Sequence, residues 1–149
     1  MKIAVAVDHG GYGLKKQVLQ WLSAAGHEAL DLGTDSPESV DYPDFAVRLA
    51  QVVANGECEH GILVCGTGIG MSITANRVAG VRAALCTDPY MARMSRAHND
   101  ANVLCMGERV VGPGLARAIV EAFLEQPFEG GRHARRVEKI MALDREDRE

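Results

Sequence analysis

Two rhythms of apolar residues alternate along the chain. KIAVAVD (Lys2 to Asp8) is a short apolar run of the kind that forms a buried strand. Behind it, Leu14, Val18, Leu19 and Leu22 fall at the spacing of one helix face until Gly26 stops the pattern. HEALDL (His27 to Leu32) predicts a second strand, and the stretch from Gly33 to Pro43 is rich in turn formers. From Asp44 to Ala54 the helical rhythm returns, with Phe45, Leu49, Val52 and Val53 facing inward. ILVC (Ile62 to Cys65), VRAALCT (Val81 to Thr87) and ANVLCM (Ala101 to Met106) predict further strands, separated by helical segments around Ser72 to Val78 and Tyr90 to Ala97.

Strands alternating with helices predict a three-layer α/β/α, Rossmann-like fold. Its five-stranded, mainly parallel sheet has helices on both faces, and a C-terminal helix follows. Ligands of such sheets gather outside the carboxyl ends of the strands. The first strand runs into Asp8-His9-Gly10-Gly11, the third into Cys65-Gly66-Thr67-Gly68-Ile69-Gly70, and the fifth into Met106-Gly107-Glu108-Arg109. His98 and Asn99, which finish the helix after the fourth strand, are expected at the same edge.

Composition narrows the class. With 149 residues, 47% hydrophobic and 24% charged, the chain fits one globular domain over residues 1–149, with 144–149 expected as a flexible acidic end. No apolar run approaches the about 20 residues of a membrane span. The start of the chain turns polar too early for a signal peptide. A net charge of -4 argues against a nucleic-acid binder. The four cysteines show no CxxC spacing, so neither disulfides nor a zinc site are expected, and a reducing cytoplasm fits.

The chemistry centres on Cys65. Peptide N–H groups in a glycine turn that opens a helix can hold an anion, although the same turn can need glycine for steric reasons alone. A dinucleotide reading has Asp88 near the ribose-reading position, but Met71 stands where the fingerprint's third glycine belongs. A cysteine phosphatase would need an arginine that Thr67 to Met71 do not supply. The start of a helix favours thiolate over thiol, making sulfur available as base or nucleophile beside donors for a developing oxyanion. Cys86 and Cys105, inside strands, read as packing. His98 also suits a helix C-cap, and Asp8 and His9 suit a turn before a helix. Arg132 and Arg136 share one face if the tail is helical; they suit a phosphate or form a solvated face balanced by Glu138, Asp144 and Glu146.

DHGG, DYPDFA, CGTGIGMSITANRVAGVRAALC, SRAHNDANVL and GGRHARRVE, in this order and spacing, resemble the type B ribose-5-phosphate isomerase family, which also contains allose-6-phosphate and galactose-6-phosphate isomerases. The likeness runs from Lys2 to about Leu143. It implies an aldose-ketose isomerase of the pentose phosphate pathway that works on a small phosphosugar through an enediolate, without metal or organic cofactor. By this resemblance Cys65 is the base, and Gly66, Thr67, Gly68, Ile69 and Gly70 form the anion hole. Thr67 also assists proton transfer to oxygen. His98 opens the furanose ring with Asp8 as a second polar contact, and Tyr42 and Asn99 touch the sugar. His9, Arg109, Arg132 and Arg136 hold the phosphate. Some of the phosphate contacts come from a second subunit, so a homodimer or dimer of dimers with interfacial sites is implied. One branch of the family places a glutamate base just after the glycine turn; Met71 there puts this chain with the cysteine branch. Ribose 5-phosphate is the expected substrate, with allose 6-phosphate or another hexose phosphate as the alternative. A nucleotide-binding module is the alternative from another class.

Overall fold

A computed structural model describes residues 1–146. In chain order the elements are β1 (Lys2–Val7), α1 (Tyr12–Ala24), β2 (Glu28–Asp31), α2 (Tyr42–Ala54), β3 (His60–Cys65) and α3 (Ile69–Ala75). They continue with β4 (Ala83–Leu85), α4 (Pro89–Ala97), β5 (Val103–Gly107), α5 (Glu108–Glu125) and α6 (Arg132–Glu146). The sheet has the order β2-β1-β3-β5-β4, and every neighbouring pair is parallel.

Successive strand residues point to opposite faces, so each strand feeds two cores. On one face Leu14, Val18 and Leu22 of α1 share a core with Val5, Ile62, Val64 and Leu104, and with Ile119 and Phe123 of α5. On the other, Leu49 and Val53 of α2 and Met71 and Ala75 of α3 meet Ala4, Ala6, Leu63 and Cys105. Burial on both faces is why the strands read as unbroken apolar runs rather than strict alternations.

The order reverses between β1 and β3, because β1 leads to β2 on one side and β3 leads across to the other. The carboxyl ends of β1 and β3 therefore border the crevice where a parallel sheet binds its ligand. β4 then returns through α4 to β5, which lies between β3 and β4. That return matters, since α4 starts at the carboxyl end of β4 and ends at the opposite edge.

Three boundaries differ from the sequence pattern. α2 starts at Tyr42 because Pro43 fits the first turn of a helix, where its missing N–H costs nothing. α3 covers Ile69–Ala75, not Ser72 to Val78. α5 follows β5 at once, in a stretch where Gly112 (φ 67°) and Pro113 break the helical rhythm and hide the helix from a periodicity reading. Asp144, expected in the flexible acidic end, belongs to α6, and its Oδ2 accepts the Gly80 N–H at 2.8 Å. Residues 147–149 lie outside the described residues.

Candidate active site

Two glycine-rich loops meet at the topological switch. A Cβ on Gly10 would stand 2.8 Å from the Gly66 nitrogen, so the loop after β1 can cross the loop after β3 only with glycine there. Asp8 is buried, and its Oδ1 accepts the N–H groups of Gly10 (2.8 Å) and Gly11 (3.2 Å), which fixes the crossing loop. The turn role weighed for Asp8 is thus real, and the residue also borders the cleft.

Cys65 ends β3 with its side chain on the α2/α3 face, 6% exposed. Its Sγ accepts the Gly68 N–H at 3.1 Å. Gly68 holds φ 82°, and a Cβ there would come within 2.8 Å of the Met106 carbonyl carbon. The peptide N–H groups of Gly66 and Thr67 find no acceptor among the described residues. Burial pushes the Cys86 thiol up to about 11 and raises that of Cys105 well above the ordinary thiol range. Both sit as packing groups in the two cores.

An open cleft of about 420 Å³ lies beside Cys65, which lines part of it. Asp8, Tyr42, Cys65, Gly66, Thr67 and Arg109 contribute to its wall, with Ile69, Gly70 and Ile73. The Tyr42 ring lies against Gly70, where a side chain would collide with it. Thr67 Oγ1 accepts the Ile69 N–H at 3.3 Å and is exposed. The Arg109 guanidinium lies over Gly66, 3.0 Å from where a Cβ would be, and the Arg109 N–H donates to the Gly66 carbonyl at 3.1 Å. His9 stands beside this cleft on the loop after β1, its Nδ1 accepting the Val40 N–H at 3.1 Å. With Nδ1 used as an acceptor, the ring proton is placed on Nε2, which leaves a donor free for a ligand.

A second cluster lies at the other end of the sheet. His98 caps the C-terminus of α4, and the following Asn102 carbonyl accepts the Gly61 N–H at the start of β3 (2.9 Å). β3 is six residues long, so at about 3.3 Å per residue roughly 16 Å of strand separates that edge from Cys65. Exposed Asn99, Arg132 and Arg136 belong to this cluster too, with α6 starting at Arg132. The expectation that His98 and Asn99 join Cys65 at one sheet edge is therefore corrected for a single chain, because α4 runs antiparallel to the strands and carries its end back to their start. Asp88, at the position the rejected dinucleotide reading would use, is the N-cap of α4, its carboxylate accepting the Met91 N–H at 2.8 Å.

Pattern reading missed Ile73 in the cleft wall and Lys15 behind it. Lys15 Nζ is buried yet donates to Asp31 (3.2 Å), the Thr34 carbonyl (2.7 Å) and Asp35 (3.0 Å), tying down the loop that leads to Val40 and Tyr42. Its position on α1 gives no local signal, as its partners lie 16 to 20 residues away.

A model of the ribose/galactose isomerase family matches residues 3–140. The chain belongs to the ribose/galactose isomerase family. Among relatives in this family, ribose-5-phosphate isomerase B of Escherichia coli is 52% identical over 143 residues, covering 96% of each chain. The solved structure of Clostridium thermocellum ribose-5-phosphate isomerase B superposes with a TM-score of 0.97 at 55% identity, covering 99% of both chains. Ribose-5-phosphate isomerase B of Mycoplasma genitalium, solved with bound ribulose 5-phosphate, superposes with a TM-score of 0.94 at 42% identity and covers 97% of both. The three-layer fold with its parallel sheet is thus the fold of this family of isomerases.

Proposed function

We propose that this chain interconverts D-ribose 5-phosphate and D-ribulose 5-phosphate, with Cys65 as the base. The observation that carries the reading is the sulfur itself: it sits in an open cleft at the head of a glycine turn, in a chain that belongs to an isomerase family over nearly its whole length.

The chemistry asks for what the turn offers. In the open-chain aldose, Cys65 takes the proton from C2, and that C–H electron pair becomes the C1–C2 double bond while the carbonyl pair moves onto O1. The resulting oxyanion is the unstable species, and one well-placed donor is worth about 3 kcal/mol to it. Gly66 and Thr67 supply peptide N–H groups within a residue or two of the sulfur. In this reading the Thr67 hydroxyl passes a proton between O1 and O2. Return of the proton from sulfur to C1 leaves the ketone at C2. His9 and Arg109 hold the phosphate, which orients the reacting carbons without taking part in bond making.

The remaining residues come from a second copy of the chain. His98, Asn99, Arg132 and Arg136 cannot reach Cys65 of their own chain, yet they form one exposed group at the amino edge of the sheet. Large apolar side chains stand exposed around both groups: Ile69 (50%) and Ile73 (63%) by the cleft, Ile140 (46%) and Leu143 (55%) on α6. A homodimer that covers these residues and seats the basic group of one chain over the cleft of the other completes two equivalent sites. Among the described residues no helix is long and apolar enough to cross a membrane. A cytoplasmic enzyme of sugar-phosphate metabolism fits its thiol chemistry.

The test is turnover of ribose 5-phosphate by the purified protein in EDTA, followed as ribulose 5-phosphate formation, with allose 6-phosphate in parallel. Preferred turnover of the pentose phosphate is the expected result. Turnover of neither sugar, or activity only with added metal, would overturn the reading.

A further inference from the structure

His98 does not stand alone. Its backbone N–H donates to Met94 at 2.9 Å as α4 ends, and the Glu129 N–H donates to the neighbouring Ala97 carbonyl at 3.0 Å. That bond anchors the segment before α6 against the end of α4. Two side chains then flank the His98 ring. His133, buried at 7% exposure, stacks on it with centroids 4.0 Å apart and planes 7° apart. Glu129 Oε1 lies 3.8 Å from His98 Nε2.

The three side chains bring ligand-type atoms within 4.8 Å of one another, but the in-plane lone pairs of two stacked rings lie in parallel planes and do not meet at one point. The arrangement suits an oriented imidazole better than a metal cage. Burial, followed by the nearby His98 and Arg132, lowers the His133 pKa, against an opposing pull from Glu129. His133 therefore offers a flat support to one face of the His98 ring, and the Glu129 carboxylate lies beside its Nε2.

We propose that Glu129 and His133 are positioning residues for His98 in opening the sugar ring, an inference that rests on the ring-opening role given to His98 above. Ring opening moves protons at two oxygens. The anomeric hydroxyl loses its proton, and that O–H electron pair becomes the C1 carbonyl as the C1–O bond to the ring breaks; the ring oxygen keeps the broken bond's electrons and takes up a proton. An imidazole serves as acceptor and donor in turn only if its ring is held still, since a displacement of about 1 Å costs on the order of a hundredfold.

The experiment compares ribose 5-phosphate with its C2-deuterated form, using Glu129→Gln, His133→Ala and His133→Phe. For Glu129→Gln and His133→Ala, kcat/KM falls at least about tenfold and the deuterium isotope effect shrinks towards one, because ring opening now limits the rate. His133→Phe, which keeps a flat ring for stacking, retains most of the activity. Full activity in Glu129→Gln and His133→Ala would overturn the inference. So would a loss accompanied by a large isotope effect, which places the damage at the proton abstraction, or a His133→Phe variant as impaired as His133→Ala. His98→Asn separates the two layers: if it loses activity with a large isotope effect, the ring-opening role of His98 fails and this inference with it. If only the Glu129 and His133 variants behave that way, the inference fails alone.

Discussion

Cys65 Sγ accepts the N–H of Gly68 three residues further along the same turn, at 3.1 Å. Sulfur and peptide donors are thereby parts of one rigid loop, so the proposed base and the proposed oxyanion donors keep a fixed separation. Gly68 makes this possible at φ 82°, a conformation that side chains other than glycine adopt at a cost.

Gly68→Ala should accordingly damage both stability and activity. The left-handed backbone and a Cβ 2.8 Å from the Met106 backbone together cost about 1–3 kcal/mol. Thermal unfolding measures the first effect. The kcat for ribose 5-phosphate measures the second, and it should drop more than the stability loss alone explains.

Lys15→Met tests the loop behind the cleft. Burial works against the Lys15 ammonium, but hydrogen bonds and charge from Asp35 and Asp31 outweigh it and raise its pKa. A raised value means a stabilising contribution fully present below the ordinary 10.5 and lost as pH climbs through the higher folded value. Removing the ammonium leaves the Thr34 carbonyl unpaired, at a cost of about 1–3 kcal/mol. The loop through Val40 then loosens its hold on His9, so KM for the phosphosugar should rise more than kcat falls.

His60 predicts a dependence on mild acid. Its Nδ1 is buried without a partner and its ring meets Phe123 edge-on at 5.6 Å. Burial, and then Arg96, lower its pKa below the ordinary 6.5, while Glu59 and Asp100 oppose the shift. The unfolded chain then binds the proton more readily than the folded one, so stability is complete above 6.5 and falls as pH drops towards the folded value. Urea unfolding across this range should show a smaller pH slope for His60→Gln than for the unmodified chain. His133, lowered in the same direction, keeps part of the slope.

Mixing variants tests the shared site. Cys65→Ala and Arg132→Ala are each expected to be nearly inactive. Refolded together, half of the dimers are mixed and one of their two sites carries both native groups, so roughly a quarter of the activity should return. No recovery would mean that both groups serve the same chain's site.

The sequence made the strands and the Cys65 turn legible because both are local. Apolar runs such as Ile62 to Cys65 mark strands, and glycines directly after a strand mark a tight crossing. The place of His98 was not legible in the same way. Its position after a strand-helix unit suggests the ligand edge, whereas the direction of α4 sends it to the other edge. α5 was hidden by Gly112 and Pro113 in its first turns. Lys15 with Asp31 and Asp35, and His133 with His98, pair across stretches of chain that no periodicity connects.

The most direct measurement is kcat for ribose 5-phosphate in Cys65→Ala, alongside a far-ultraviolet circular dichroism spectrum. Removal of a general base predicts a loss of about 10²–10⁴ with an unchanged spectrum. Turnover close to that of the unmodified chain would contradict the account and send the search for the base elsewhere in the cleft.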